Sequence, residues 1–304
     1  MSKTTPGKLV EALRKDFGET SAMLLAEGSL SKITNVVPTG LTVLDKHVLG
    51  VGGLPYGRLI EMFGDNGVGK TSILCCMMAG VQRDDGIAVL IDTENKFDPE
   101  WAKLHGVKVD DVVLLQPTTL EQVVAQMDAI LGKGGDQPLL IALDSVAATP
   151  TEKEMENGAG GDVTVAEAAR VWSRSLRVLS SKLAKRQAVL VLINQIRLKI
   201  GVLYGNPETT PGGLGIRFYA TIRLSVSHGK SVKDGNEAVG KYMTVTALKN
   251  QVCPPFRKAR LRLNFTTGFD DDWSILDHAK EQKLVPDTCR SVKDARKALG
   301  WEEV

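Results

Sequence analysis

The sequence of 304 residues contains only four cysteines, Cys75, Cys76, Cys253 and Cys289. None stands in a C-x-x-C pair, so neither a disulfide scaffold nor a zinc ribbon is expected, and a reducing compartment fits. Long apolar runs are also missing. No stretch approaches the roughly 18 successive apolar residues that a membrane span requires. Residues 1–13 break their apolar side chains with Lys8 and Glu11, unlike the unbroken apolar centre of an export signal. A cytoplasmic protein without a membrane partner is expected. Charge of one sign is lacking as well, since 38 Lys and Arg against 36 Asp and Glu leave +2, so a surface for a polyanion must be made locally. Aromatic residues are scarce at 5%, but 43% hydrophobic and 24% charged residues are the proportions of a folded chain, which excludes disordered and fibrous classes. The length permits about two domains.

Leu9, Val10, Leu13 and Phe17 recur at helical spacing before a short apolar segment at 23–25, which predicts an amphipathic helix. Runs at 59–63, 88–91, 112–115, 139–143 and 189–193 are apolar throughout rather than alternating. Such runs predict strands covered on both faces, hence a mostly parallel sheet flanked by helices, with helices expected at 71–82, 120–131 and 165–185. The fold class is α/β. Two glycine-bearing stretches, 156–164 and 197–215, interrupt the rhythm and are expected to lie outside the core. Runs at 218–226, 243–248 and 259–265 predict strands of hairpins extending the sheet, separated by a polar, turn-rich stretch at 229–240. Past residue 270 the pattern turns helical again, with Ile275, Leu276, Ala279, Val292, Ala295 and Leu299.

Gly64-Asp65-Asn66-Gly67-Val68-Gly69-Lys70-Thr71 matches G-x-x-x-x-G-K-[ST] between an apolar run and a helical stretch, the context of a P-loop. Its glycines let main-chain N–H groups turn toward the β- and γ-phosphates at a helix N-terminus, where orphan donors already favour anions. Lys70 then neutralises phosphate charge and the Thr71 hydroxyl coordinates Mg²⁺, with Ser72 next in the first turn. Asp144, closing the run at 139–143, is the candidate acid on the Mg²⁺ side. Glu94, after the run at 88–91, reads either as the acceptor that orients an attacking water or as a solvated loop acid. In a parallel sheet the P-loop, Glu94, Asp144 and Gln195 converge on one carboxyl edge, where α/β proteins bind ligands.

These residues and the stretches between them resemble the bacterial RecA family of homologous-recombination ATPases, across about 38–265 and more loosely toward the amino end. The resemblance is carried by Gly53-Leu54-Pro55-Tyr56-Gly57-Arg58, by Ile91-Asp92-Thr93-Glu94 with Asp98-Pro99, and by Leu143-Asp144-Ser145-Val146-Ala147-Ala148. Most specific is Ile193-Asn194-Gln195-Ile196-Arg197-Leu198-Lys199-Ile200-Gly201-Val202, continuing through Gly205-Asn206-Pro207-Glu208-Thr209-Thr210 to Gly212-Gly213. It implies a RecA-type ATPase core at 34–269 between an N-terminal polymerisation arm at 1–33 and a short helical segment at 270–304. The implied activity is ATP-dependent recombination. Such a protein forms a helical homopolymer on single-stranded DNA, pairs it with homologous double-stranded DNA, and hydrolyses ATP with Mg²⁺ when DNA is bound.

Position by position, the resemblance implies Glu94 as the residue activating water, Gln195 as the γ-phosphate sensor, and Asp98, Trp101 and Phe265 as adenine contacts. Trp101 stands where the family commonly has Tyr; a ring stacks either way, and an ordinary core aromatic is the other reading. The loops at 156–165 and 197–213 match the family's two DNA-binding loops, with Val165, Arg170, Arg197, Lys199, Ile200, Gly212 and Gly213 on the DNA side. Lys249 and Arg217 fall where a neighbouring protomer supplies cations to ATP. Phe218 fits a protomer interface or a strand core.

Gln251 departs from the second lysine usual there, so slower or differently coupled hydrolysis is expected. About 35 residues follow Phe269, fewer than the family's usual carboxy-terminal domain and acidic tail. Lys280, Lys283, Arg290, Lys293, Arg296 and Lys297 give that segment a basic face, read as a duplex DNA contact or as a solvated surface. A shortened member of this kind is compatible with a phage or plasmid source as well as a cellular one. Two other readings stay open on the motifs: a ring-forming motor with the same core, such as a helicase, and a weakly hydrolysing regulatory paralogue, against which intact Lys70, Thr71, Glu94 and Asp144 speak.

Overall fold

Pro6 in the first turn and Arg14 and Lys15 in the last suit the two ends of a helix, and Pro6–Phe17 form α1 in a computed structural model. The structure describes residues 4–26, 33, 35–158, 165–198 and 208–301. It divides into two compact units, residues 1–34 and 35–304. No residue of α1 is buried, and its apolar face exposes Leu9 and Phe17.

The second unit opens with a small antiparallel ribbon, β1 (Val36–Val37) and β2 (Leu54–Pro55), around a wide helical turn at Leu44–Leu49. Next come β3 (Arg58–Gly64), α2 (Lys70–Arg83), β4 (Ile87–Asp92), α3 (Pro99–Leu104), β5 (Val112–Leu115), α4 (Leu120–Lys133) and β6 (Leu139–Asp144). These are followed by α5 (Glu152–Asn157), α6 (Val165–Leu183), β7 (Ala188–Gln195), β8 (Arg197–Leu198), β9 (Glu208–Thr209) and α7 (Gly213–Tyr219). The chain ends with β10 (Ile222–Asp234), β11 (Glu237–Asn250), β12 (Lys258–Asn264), β13 (Gly268–Phe269), α8 (Asp271–Glu281) and α9 (Val292–Ala298). Among the described residues the main sheet has the order β13-β12-β11-β10-β3-β7-β6-β4-β5, while β8 and β9 form a separate antiparallel pair. From β10 to β5 neighbouring strands run parallel; from β10 to β13 they run antiparallel.

The unbroken apolar runs have the expected cause. Along β7, Val189, Val191 and Ile193 enter one buried cluster with α2, and Leu190 and Leu192 enter another with α4 and α6. Both faces of the sheet are therefore covered by helices. The expected helices fall within or close to α2, α4 and α6.

Four expectations are corrected. β5 is an edge strand, with Val113 and Leu114 about half exposed, because among the described residues only β4 pairs with it. Residues 218 and 219 close α7 instead of opening a strand, which begins at Ile222. The stretch 229–240 is mostly strand: β10 and β11 continue as a ribbon to a turn at Gly235, and Gly229 marks the close approach of Tyr242 rather than a loop. Lastly, the exit of the second glycine-bearing stretch is packed. Thr210 is buried, and a Cβ on Gly215 would lie 2.6 Å from Ser173 Oγ.

The helical tail packs on the sheet's antiparallel end, where Ile275, Ala279 and Ala295 join the core. Asp271 accepts hydrogen bonds from Thr42 N and Oγ1 at 2.7 Å each, and Asp277 pairs with Arg260. Among the described residues no helix is long and apolar enough to cross a membrane.

Candidate functional site

β3 ends at Gly64, and the chain reaches α2 through a loop whose Gly67 and Gly69 have φ of 69° and 107°, values that favour glycine. Crowding adds a second reason. A Cβ on Gly64 would lie 2.1 Å from the Val226 carbonyl oxygen, and one on Gly69 would lie 2.6 Å from Met243 Cε. The loop is thus shaped to deliver backbone N–H groups to the N-terminus of a 14-residue helix. Lys70 Nζ donates to the carbonyls of Gly64 and Asp65 at 3.0 and 2.7 Å. Burial holds its pKa below the usual lysine range, against the pull of Asp144 and Glu94.

Four adjacent parallel strands bring the expected groups to one edge. Gly64 of β3 lies opposite Gln195 of β7, and Asp92 of β4 opposite Asp144 of β6. Thr71 Oγ1 donates to Asp144 Oδ2 at 2.9 Å. Burial pushes the Asp144 carboxyl up to about 6, with the Thr71 hydrogen bond opposing. A hydroxyl and a carboxylate side by side form the hard oxygen pair that Mg²⁺ prefers, so the residues present fit that ion. Glu94 is no free loop acid: its Oε1 accepts from Ser145 Oγ at 2.7 Å and from Gln195 Nε2 at 3.2 Å. The turn bearing it is wound on Asp92, whose carboxylate accepts four backbone N–H groups, those of residues 94–97, at 2.9–3.2 Å.

Asp98 caps α3 by accepting from the N–H groups of Glu100 and Trp101. The Trp101 indole N–H then donates to Ser72 Oγ at 3.0 Å, tying this helix to the phosphate helix. Trp101 is half-buried, packing against His105 at 4.9 Å between ring centres. Phe265 follows β12, partly exposed, with its N–H donating to the Val239 carbonyl.

The second glycine-bearing stretch is held at both feet by one side chain. Asn194, wholly buried, donates through Nδ2 to Glu61 Oε1 and to the Pro211 carbonyl, each at 3.0 Å, and its Oδ1 accepts the Gln195 N–H at 3.0 Å. Glu61, also fully buried, pairs with Arg223 Nε at 2.5 Å, and the Arg223 guanidinium lies 4.6 Å from the Phe63 ring centre. At the exit Gly212 and Gly213 are left-handed, with φ of 83° and 74°. A Cβ on Gly213 would lie 2.7 Å from that of Ala169 in α6, so the end of this stretch sits on the helix that begins at Val165 and carries exposed Arg170. Arg197 is exposed in β8; Lys199 and Ile200 lie outside the described residues.

Arg217, Phe218, Lys249 and Gln251 form a separate group around α7. Arg217 Nη2 donates to Thr209 Oγ1 at 3.0 Å, and Lys249 Nζ donates to the carbonyls of Arg217 and Phe218 at 3.1 and 2.9 Å. Burial lowers the pKa of both cations. Phe218 is 77% exposed, so it is not the core aromatic that one reading of the sequence allowed. Gln251 is exposed, with its N–H on the Thr221 carbonyl.

Ser145, Asp92 and the Glu61–Asn194–Arg223 network were not assigned roles from sequence. Asp92 carries the nearest signal, an acid ending an apolar run before a tight turn.

The family model described as the RecA N-terminal domain matches residues 7–270. Protein RecA of Levilactobacillus brevis is 40% identical over 278 residues, covering 91% of this chain and 72% of that protein. Protein RecA of Petrotoga mobilis is also 40% identical over 278 residues, with coverage of 91% and 74%. Protein RecA of Thermotoga petrophila is 37% identical over 283 residues, with coverage of 93% and 78%. With the P-loop, Glu94, Asp144 and Gln195 gathered on one sheet edge, these matches place the chain in the RecA family.

Proposed function

We infer that this chain is an ATP-dependent DNA recombinase, a DNA-dependent ATPase that carries out strand exchange. The observation that carries the reading is the contact of Gln195 with Glu94 at the foot of the second glycine-bearing stretch. ATP binds with its phosphates on residues 64–72 and its base near Asp98, Trp101 and Phe265. Thr71 and Asp144 would hold Mg²⁺, which when bound would neutralise charge on the phosphoryl group being transferred. Glu94, oriented by the Ser145 hydroxyl, accepts a hydrogen bond from the attacking water and aligns it for in-line displacement.

Gln195 supplies the coupling. Its amide is held by Glu94 here, and a γ-phosphate competing for that amide releases Glu94 toward water while shifting the start of the segment from Ile196. Asn194 ties that movement to Pro211 at the other foot. Single-stranded DNA lies against the two loops, with Arg170, Arg197 and Lys199 meeting phosphates, Ile200 wedging between bases, and glycines allowing close backbone approach. Arg217 and Lys249, beside exposed Phe218, face the ATP of a neighbouring protomer in a helical filament. Gln251 leaves that face with one cation fewer, which slows hydrolysis or alters its coupling to DNA.

Strand exchange tests the reading. With ATP, Mg²⁺, single-stranded DNA and a homologous duplex, joint molecules should accumulate, and electron microscopy with a non-hydrolysable ATP analogue should show helical filaments. Closed rings alone, or DNA-stimulated hydrolysis without joint molecules, would contradict it.

A further inference from the structure

β11 brings to the phosphate loop a lysine that lies outside the P-loop motif. Lys241 Nζ donates to the Gly67 carbonyl at 2.5 Å. Two residues along the same face of the strand, Met243 occupies the space that a Cβ on Gly69 would need. β11 therefore lies along the loop from Gly67 to Gly69. Its register is fixed from the other side, where Lys241 lies opposite Leu263 and Met243 opposite Leu261 in β12, both leucines buried.

Two ammonium groups thus rest on carbonyls of one short loop: Lys70 on Gly64 and Asp65, and Lys241 on Gly67. A carbonyl is a weak partner for an ammonium compared with a phosphate oxygen, since the phosphate adds the attraction of a full negative charge to the hydrogen bond. Partial burial also holds Lys241 below the usual lysine range, and its charge opposes that of Lys70. A cation pair at the N-terminus of a helix favours a polyanion.

We propose that Lys241 is a second polyphosphate-binding cation of the nucleotide site, supplied by the same chain, which leaves the Gly67 carbonyl for a phosphate oxygen when a nucleoside di- or triphosphate binds. This rests on reading residues 64–72 as a phosphate site. It gives the nucleotide positive charge that does not depend on a neighbouring protomer, in a chain whose residue 251 is the neutral Gln251.

The test is the affinity of the full chain for a fluorescent ADP and for a non-hydrolysable ATP analogue, measured at two salt concentrations. Lys241→Met should weaken both about tenfold, as expected for the loss of one charge-assisted hydrogen bond, and should reduce the salt dependence. Lys241→Arg should stay within about twofold of the unaltered chain. The melting temperature without nucleotide should be unchanged in both. Unchanged affinity in Lys241→Met would overturn the proposal, as would equal losses in the Met and Arg variants accompanied by a lower melting temperature, the mark of a structural brace. Lys70→Ala separates the two readings. If it loses binding while Lys241→Met does not, only the role of Lys241 fails; if it binds normally, the phosphate site itself fails.

Discussion

The parallel and antiparallel parts of the sheet deliver side chains to the site in different ways. In β3, β7, β6 and β4 every strand runs the same way, so the residues just past four apolar runs arrive at one edge: the P-loop, Gln195, Asp144 and Glu94. In β10 to β13 the direction alternates, and the polar groups come from within strands, as with Lys241 at the phosphate loop and Arg223 against Glu61. A shared strand direction turns sequence order into spatial convergence. Alternating strands do so only through their register, which here shifts between Arg223 and Leu224, between His228 and Ser231, and between Val232 and Lys233.

The seam between the two parts is where this contrast is most easily broken. Arg223→Met strips a fully buried Glu61 of its cation and should cost about 3–5 kcal/mol, the usual result of removing one partner of a buried pair. The urea midpoint should fall with little change in slope. A loss below about 1 kcal/mol would mean that the seam is held by apolar packing alone.

A smaller effect should appear on the antiparallel side. His278 of α8 lies between the rings of His47 and Trp301, at 4.2 and 5.6 Å between centres, and its buried Nδ1 has no hydrogen-bond partner among the described residues. Burial, reinforced by His47, lowers its pKa to about 4 from an ordinary 6.5. His47 is itself shifted down by burial and Arg257, with Glu281 opposing. Below pH 6.5 the unfolded chain binds a proton that the folded chain refuses, so this contribution is complete above about 6.5 and is lost as pH falls toward 4. Melting temperature against pH should therefore fall less steeply between 6.5 and 4 in His278→Gln than in the unaltered chain. Parallel curves would assign the acid sensitivity elsewhere.

The same contrast explains what the sequence made legible. The runs at 139–143 and 189–193 declared buried parallel strands because both faces are covered, and the acids after such runs were then easy to find. Asp144 beside Thr71 and Glu94 beside Gln195 needed only the assumption of a parallel sheet. The Ser145 hydroxyl on Glu94 and the winding of residues 94–97 on Asp92 were not legible, because side-chain direction after a strand depends on turn geometry. Residues 218 and 219 carry a misleading pattern, since an apolar pair at a helix end looks like the start of the strand three residues later. Lys241 carried no signal at all: its bond to the Gly67 carbonyl and the packing of Met243 on Gly69 are what show that β11 runs along the phosphate loop.

ATP hydrolysis at the carboxyl edge of the parallel strands is addressed most directly by Glu94→Gln. Phosphate release with Mg²⁺ and ATP should rise in the unaltered chain when single-stranded DNA is added. In Glu94→Gln nucleotide affinity should be kept, release should fall by at least about a hundredfold, and DNA-bound filaments should persist. Hydrolysis by Glu94→Gln at the unaltered rate would move the water-activating group elsewhere and contradict the site described here.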